Sequence, residues 1–469
     1  AFFLEDGTER NNRLEGNLGL STRAPPPENE ILATDTTPAT FWLPATGNTL
    51  IANVAAGSEG HGFWYRINQT SDLIDAPTFE QNVAHSNALN GYYKHDYRAV
   101  GSPLPVREFV GFTAYKNRGV GIYYRTADMT AVWRDAHLAD NATAVLFAST
   151  GTQVDGQNYT LLLDSFVVGE SGNVGTPISA GEVALGRSLP KPSRPRMELL
   201  GHELYEGHVE SRGTTYANFV RVPVGGSFRE AGAFGHVRGA NRWAFDPRMS
   251  VGGLQFIQAQ PIYLTPTPWM ESGKAGLVLH DSDGSLTGVP GQAVSAATAL
   301  MTPTAGASHN AAWTANLLPP FTRLANLRFT DRGSAGVERV TYTSSTRDVE
   351  LDVGSANEAY FPVNVLLPDD YTLGFDARSA PRNFRLQLLF GHPGDSTILT
   401  MRYPAPGPQA VRVDGSYATP AASKAELQAQ PGSGYAYDPA TGILHVKLEL
   451  RGAGTSMMNG LETRVDVTP

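Results

Sequence analysis

The densest group of side chains able to do chemistry is Tyr92-Tyr93-Lys94-His95-Asp96-Tyr97-Arg98. Tyrosine faces stack on sugar rings, and arginine pairs with a carboxylate through two parallel N–H donors. Histidine or tyrosine can move protons. His61 precedes Gly62-Phe63-Trp64-Tyr65, and His85 falls in Ala84-His85-Ser86-Asn87. Gly62 and Gly91 occupy equivalent places in successive units, so the segments beside them are expected to stack. The expected site is therefore one patch of Tyr92, Tyr93, His95, Asp96 and Arg98, with His61 and His85 from adjacent coils. Within it His95, Asp96 and His85 are the catalytic candidates. His61, Tyr92, Tyr93 and Arg98 are the ligand-binding candidates. The competing reading is a solvated loop whose aromatic rings pack locally.

A second cluster, His280-Asp281-Ser282-Asp283-Gly284, offers closely spaced oxygen ligands of the kind Ca²⁺ favours, with Asp281 and Asp283 as candidate ligands. It lacks the downstream bidentate Glu of an EF-hand, and Asp and Gly also simply make turns. The chain holds no phosphate-binding glycine loop, no nucleophile elbow, no HExxH and no zinc cluster. Trp64, Trp133, Trp243 and Trp269 can stack on sugars, although aromatic residues in strands belong to the core by default.

These residues need elements to hold them. From Phe41 onward a unit recurs: a strand, a bend containing Asn, and a second apolar or aromatic strand. Asn82–Asn87 leads into Gly91-Tyr92-Tyr93, Thr113–Asn117 into Gly121-Ile122-Tyr123-Tyr124, and Ala136–Asn141 into Ala144–Phe147. A period of about 23 to 30 residues is that of a solenoid, whose units bury an apolar face only by stacking. Asn at the same point of successive coils either forms a side-chain ladder or tolerates left-handed turn geometry. No 3.6-residue periodicity lasts three turns. From Phe321 the pattern changes to strands every ten or so residues with Gly, Pro and Asp-Asp turns, the signature of a β-sandwich. The expected fold is all-β: a right-handed parallel β-helix over 1–300, a connector over 301–320 and a β-sandwich over 321–469.

With 469 residues, 49 Gly, 32 Pro and 17% charged residues, the chain suits many short strands joined by turns. A net charge of −9 argues against a nucleic-acid partner. There is no cysteine, and no apolar run approaches the ~20 residues that span a bilayer. The chain begins at Ala1, read as a matured or truncated product, so an upstream segment or a partner chain is expected to cap the first coil. Asn68-Gln69-Thr70, Asn141-Ala142-Thr143 and Asn158-Tyr159-Thr160 are glycan acceptor triplets if the source is eukaryotic.

The segment FVVGESGNVGT, residues 166–176, resembles that of the cell-migration-inducing hyaluronan-binding protein and transmembrane hyaluronidase family nearly letter for letter. Further matches are Glu5-Asp6-Gly7 with Asn17-Leu18-Gly19, Phe41-Trp42, Ala55–Glu59 with Gly62-Phe63-Trp64, Ala84–Asn87, Ala114–Asn117, His280–Ser285 and Tyr437–Leu444. The resemblance implies an extracellular or surface protein with a parallel β-helix and a C-terminal β-rich domain. It also implies a polysaccharide partner such as hyaluronan, bound or depolymerised by hydrolysis or elimination. The alternative from another class is a non-catalytic structural or adhesive surface protein. The lack of cysteine and the Ala/Gly/Thr-rich composition suggest a bacterial relative in the cell envelope. Gly169, Gly172 and Gly175 signal positive φ in the signature bend. Glu170 and Asn173 there belong either to a site or to the turn itself.

Overall fold

The computed structural model describes residues 1–30, 36–66, 78–96, 106–126, 130–149, 159–173, 198–224, 226–236, 247–265, 277–296, 306–333, 336–345, 348–352, 360–451 and 462–469. The expected β-helix and β-sandwich are both present. Each coil of the helix contributes one strand to each of three parallel sheets. The first sheet stacks eight strands: Phe2–Phe3, Ala39–Leu43, His61–Tyr65, Tyr92–Asp96, Val120–Thr126, Thr143–Ser149, Leu199–Gly207 and Ala231–His236. The second sheet begins at Arg13–Glu15 and the third at Leu18–Leu20, and both run through the same eight coils.

The corner between the second and third sheets is the same in every coil. It holds two residues, the first with a left-handed backbone: Gly16, Ala52, Gln81, Gly111, Asp135, Asp164, Gly213 and Gly253, with φ from 48° to 66°. Four of these are not glycine, although the left-handed region costs about 1–2 kcal/mol for a residue with a Cβ. The second residue of this corner is often asparagine. Asn17 Nδ2 donates to Asn53 Oδ1 at 2.9 Å, and Asn53 Nδ2 to Asn82 Oδ1 at 3.0 Å. A second ladder climbs the corner between the third and first sheets, from Asn87 to Asn117 at 2.8 Å and Asn117 to Asn141 at 2.9 Å. Each rung also takes a backbone N–H of the preceding coil and gives its other N–H to a carbonyl, as Asn117 does with Asn87 N and Ala84 O. The ladder reading of the asparagines is the one the structure supports, and left-handed geometry belongs to the residue before each rung.

Inside the coils, side chains of like size stack in rows. Phe2, Phe41 and Phe63 lie face to face with centroids 4.6 Å apart, and Phe109 stacks on Trp133 at 4.2 Å. Burying each such ring contributes about 1.5–3 kcal/mol. Gly62, Gly91 and Gly121 also stack: a Cβ at Gly62 would meet Gly91 O at 2.6 Å, and one at Gly91 would meet Gly121 O at 2.7 Å. Only glycine lets the strands of the first sheet begin that close together.

After eight coils the second sheet adds Val278–Asp281 in parallel, then Ala293–Ala296, Ala315–Leu318 and Ser308–Asn310 antiparallel. Two of these strands fall in the stretch 301–320. The sandwich has two six-stranded sheets enclosing a second core that includes Leu327, Phe329, Tyr342, Leu386, Val446 and Val465. Its strand pairs are antiparallel except Tyr371–Phe375 with Ser396–Arg402. The β-helix meets the sandwich where the Arg248 guanidinium lies 4.6 Å over the Phe390 ring. Among the described residues no helix is long and apolar enough to cross a membrane.

The ladder predicts a measurable cost. In Asn117→Ala, the Asn87 amide groups and Ala84 O lose buried partners, and each such loss costs about 1–3 kcal/mol. We predict a stability loss of at least about 2 kcal/mol by chemical denaturation, and a smaller one for Asn17→Ala at the half-buried end rung of the other ladder. Equal and negligible losses for the two variants would reduce the ladder to a by-product of corner geometry.

Candidate functional site

The segment read as a site-bearing loop is a strand as far as Asp96, and strand alternation divides it. Tyr92 and Lys94 turn into the coil and are buried; Tyr93 and His95 point outward. Tyr92 is therefore a core residue, packed 4.8 Å from Trp133 and 5.5 Å from Phe109, which corrects its assignment as a ligand contact. The side chain of Asp96, and Tyr97 and Arg98 altogether, lie outside the described residues, as do Trp243, Trp269 and two of the three glycan triplets in whole or part.

Outward residues of the first sheet form a continuous row. Trp42, Trp64, Tyr93, Tyr123, Leu146 and Glu203 occupy one register across six strands. Neighbouring rings lie 4.9 Å (Trp42–Trp64), 5.4 Å (Trp64–Tyr93) and 5.0 Å (Tyr93–Tyr123) apart, close to the interstrand spacing of about 4.8 Å. His61 lies flat on Tyr93, centroids 4.2 Å apart and planes 2° from parallel, and its Nδ1 is 3.3 Å from Asn90 Nδ2. His61 thus stands beside the residue preceding Gly91, and the segments next to Gly62 and Gly91 do stack. His95 lies one pleat along, across from Arg125. The Arg125 Nη1 donates to His95 Nε2 at 2.8 Å, so that nitrogen accepts and the ring proton sits on Nδ1. The same guanidinium lies 4.5 Å over the Tyr205 ring. The strip thus combines partly exposed aromatic faces, a guanidinium and one carboxylate, Glu203, in the row.

His85 is not part of it. Left-handed Ser86 and Asn87 turn the chain between the third and first sheets, so His85 lies on the third sheet, stacked 4.6 Å from Tyr115. Burial and the nearby Lys116 ammonium hold its pKa below the ordinary value. His61 is pushed down to about 3 by burial, so at neutral pH it supplies an aromatic face and no charge. Among the described residues of the strip the cationic side chain is Arg125.

The other expected clusters are turns. Asp281 is fully buried; its Oδ1 accepts from Gly284 N and its Oδ2 from Leu286 N, Thr287 N and Thr287 Oγ1. Asp283 accepts from Gly253 N and Ser285 N. A cation here would compete with six donors. No group of three or more His, Asp or Glu able to hold a metal occurs among the described residues. In the signature bend Glu170 Oε1 pairs with the buried Arg229 Nη1 at 2.7 Å, and Asn173 N donates to Ser171 Oγ. Neither Gly169 nor Gly172 has the expected positive φ; Gly169 is required because a Cβ would meet Asn218 O at 2.5 Å. Gly175 lies outside the described residues.

Sequence reading missed Tyr123, Arg125, Glu203 and Tyr205 and left Trp64 in the core by default. The available signal was the adjacent aromatic pair in successive units, Phe41-Trp42, Trp64-Tyr65, Tyr92-Tyr93 and Tyr123-Tyr124, of which one ring must face out.

Residues 1–92 match the family model described as CEMIP beta-helix. The human Cell migration-inducing and hyaluronan-binding protein is 29% identical over a 368-residue alignment covering 62% of this chain. The human Cell surface hyaluronidase CEMIP2 is 27% identical, covering 61%. Mouse Fibrocystin-L is 42% identical over 93 residues, 20% of this chain and 2% of its own length. The resemblance read from the sequence is thereby borne out. The chain spans about a quarter of the length of the two CEMIP relatives, 26% in each case.

A buried histidine supplies the pH prediction. His202 is fully buried between Phe147 and Phe234, with no hydrogen-bond partner on either nitrogen, and burial pushes its pKa down to about 3. The unfolded ring takes up its proton near 6.5. Stability that is complete above pH ~6.5 is therefore lost progressively as pH falls toward 3. We predict that His202→Phe shrinks the stability difference between pH 7.5 and 4.5 by about 2 kcal/mol in urea titrations. An unchanged difference would show that the ring does not stay neutral in the core.

Proposed function

We propose that this chain binds an acidic polysaccharide, hyaluronan first among candidates, along the outward row of the first sheet. The observation that carries the reading is the in-register run of Trp42, Trp64, Tyr93 and Tyr123 beside Arg125. Flat rings repeating at the coil spacing suit the faces of successive sugars, and a guanidinium suits a uronate carboxylate. Two relatives are named for binding hyaluronan or as a hyaluronidase, which supports this choice of polysaccharide and a place at the cell surface or outside the cell. A glycosidase of the usual kind needs two carboxyl groups flanking the linkage. The described row, with His95, Arg125 and Tyr205, offers one, Glu203, so binding is the activity proposed and an adhesive role fits the same face.

The test is hyaluronan affinity at low and high salt, with product sizing in parallel. Trp64→Ala and Arg125→Ala should each weaken binding about tenfold, equivalent to ~1.4 kcal/mol, while Tm stays within a few degrees for Arg125→Ala. Affinity should fall as salt rises, because exposed charges are screened. Parent-like binding by both variants would move the ligand off this face, and shortened products would make the chain a depolymerase.

A further inference from the structure

The sandwich carries a second concentration of charge, on the outer face of one sheet. Four strands lie side by side there: Leu324–Asp331, Phe384–Leu389, Glu462–Thr468 and Ala410–Val413. Arg385 and Arg412 flank Asp466 directly across the two neighbouring strands. Arg385 Nε lies 2.8 Å and Arg332 Nη1 3.1 Å from Asp466 Oδ1, and Arg464 Nε lies 3.2 Å from Asp466 Oδ2. Three guanidinium groups thus share one carboxylate that is itself mostly buried, 13% exposed. Arg412 stands exposed beside them, its Nη2 donating to Tyr417 Oη at 2.7 Å and its guanidinium 4.5 Å from the centre of that exposed ring.

Four arginines meet two acids here, since Asp414 also lies close, its Oδ1 accepting from Arg464 N. The neighbouring Glu462 is engaged by Gln387 at 2.6 Å. Gln387 is neutral, so Glu462 keeps its charge, and the patch is left with an excess of about one positive charge on a chain whose net charge is −9. Asp466 shows that these donors already accommodate a carboxylate. Its two oxygens are shared three ways, while the Arg332 and Arg464 side chains stay 46% and 39% exposed and Arg412 is exposed, so part of each side chain is open to solvent.

We propose that this cluster, with Tyr417, is a second binding site for the carboxylate or sulfate groups of an acidic polysaccharide. The choice of polysaccharide over other polyanions rests on the function proposed above; the anion site itself rests on the arginines alone. A ligand bound at both the helix row and this patch gains avidity without any new contact at either. The exposed Tyr417 ring supplies the flat face a sugar needs beside its charge.

The experiment uses the whole chain, with immobilised hyaluronan and heparin as separate probes and inorganic sulfate and duplex DNA as competitors. Arg385→Gln/Arg464→Gln should weaken binding to one or both polysaccharides about tenfold and flatten its salt dependence. The charge-conserving Arg385→Lys/Arg464→Lys should fold like the parent and recover most of the salt slope but not the full affinity. If the glutamine variant binds as the parent does while Trp64→Ala is impaired, the patch is no site and the helix row stands. If the glutamine variant is impaired while Trp64→Ala is not, the patch stands and the helix row falls. Displacement by DNA more readily than by polysaccharide, or by sulfate at millimolar concentration, would overturn the assignment to a polysaccharide. So would failure of the parent to bind either probe.

Discussion

Everything on the surface of the helix depends on coil register, and register is set at the two-residue corner between the second and third sheets. Eight times the chain passes through one left-handed residue and then a residue facing inward. In three of these coils that second residue is asparagine, and the middle one, Asn53, bonds through its amide to the coils on both sides, to Asn17 and to Asn82. A slip by one residue would break each such rung and would also exchange inner and outer faces of every strand. The combined penalty makes the register unique, and a unique register lets residues some thirty positions apart in sequence lie at van der Waals distance.

The aromatic strip is a consequence of that register. Tyr93 lies on His61 and beside Trp64 and Tyr123 because Gly62, Gly91 and Gly121 begin their strands at one height. The alternation that exposes Tyr93 buries Tyr92 against Trp133, so the outer row and the core share each strand residue by residue. Arg125 is held from two sides, by His95 and by the Tyr205 ring. Such pre-orientation lowers the entropy lost when a ligand is bound.

The fold was legible because solenoid repeats leave a period, and the recurring Asn before an apolar strand was visible without structure. The site was legible only in part. Tyr93, His95 and His61 do lie together on one face, while Tyr92 and His85 were grouped with them because neighbours in sequence were taken for neighbours in space. In a β-helix the side neighbour comes from the next coil, and successive residues point opposite ways. Arg125 and Glu203 had no local signal, since each acquires its setting from strands 30 to 60 residues away. The Asp281 turn looked like a ligand loop because an aspartate that accepts four N–H or O–H donors has the same composition as one awaiting a cation.

The uniform corner also decides where the chain can change length. Between the second and third sheets every coil uses two residues. The other two edges differ in length from coil to coil: the antiparallel pair Val222–Val224 and Ser227–Arg229 lies between the third-sheet strand Thr215–Ala217 and the first-sheet strand Ala231–His236. One edge of the prism is thus a seam kept closed, and two are open margins. Both margins border the first sheet, so segments of any length can be inserted on either side of the aromatic strip without altering the strip. A scaffold of this kind can change what flanks the strip while keeping the strip itself.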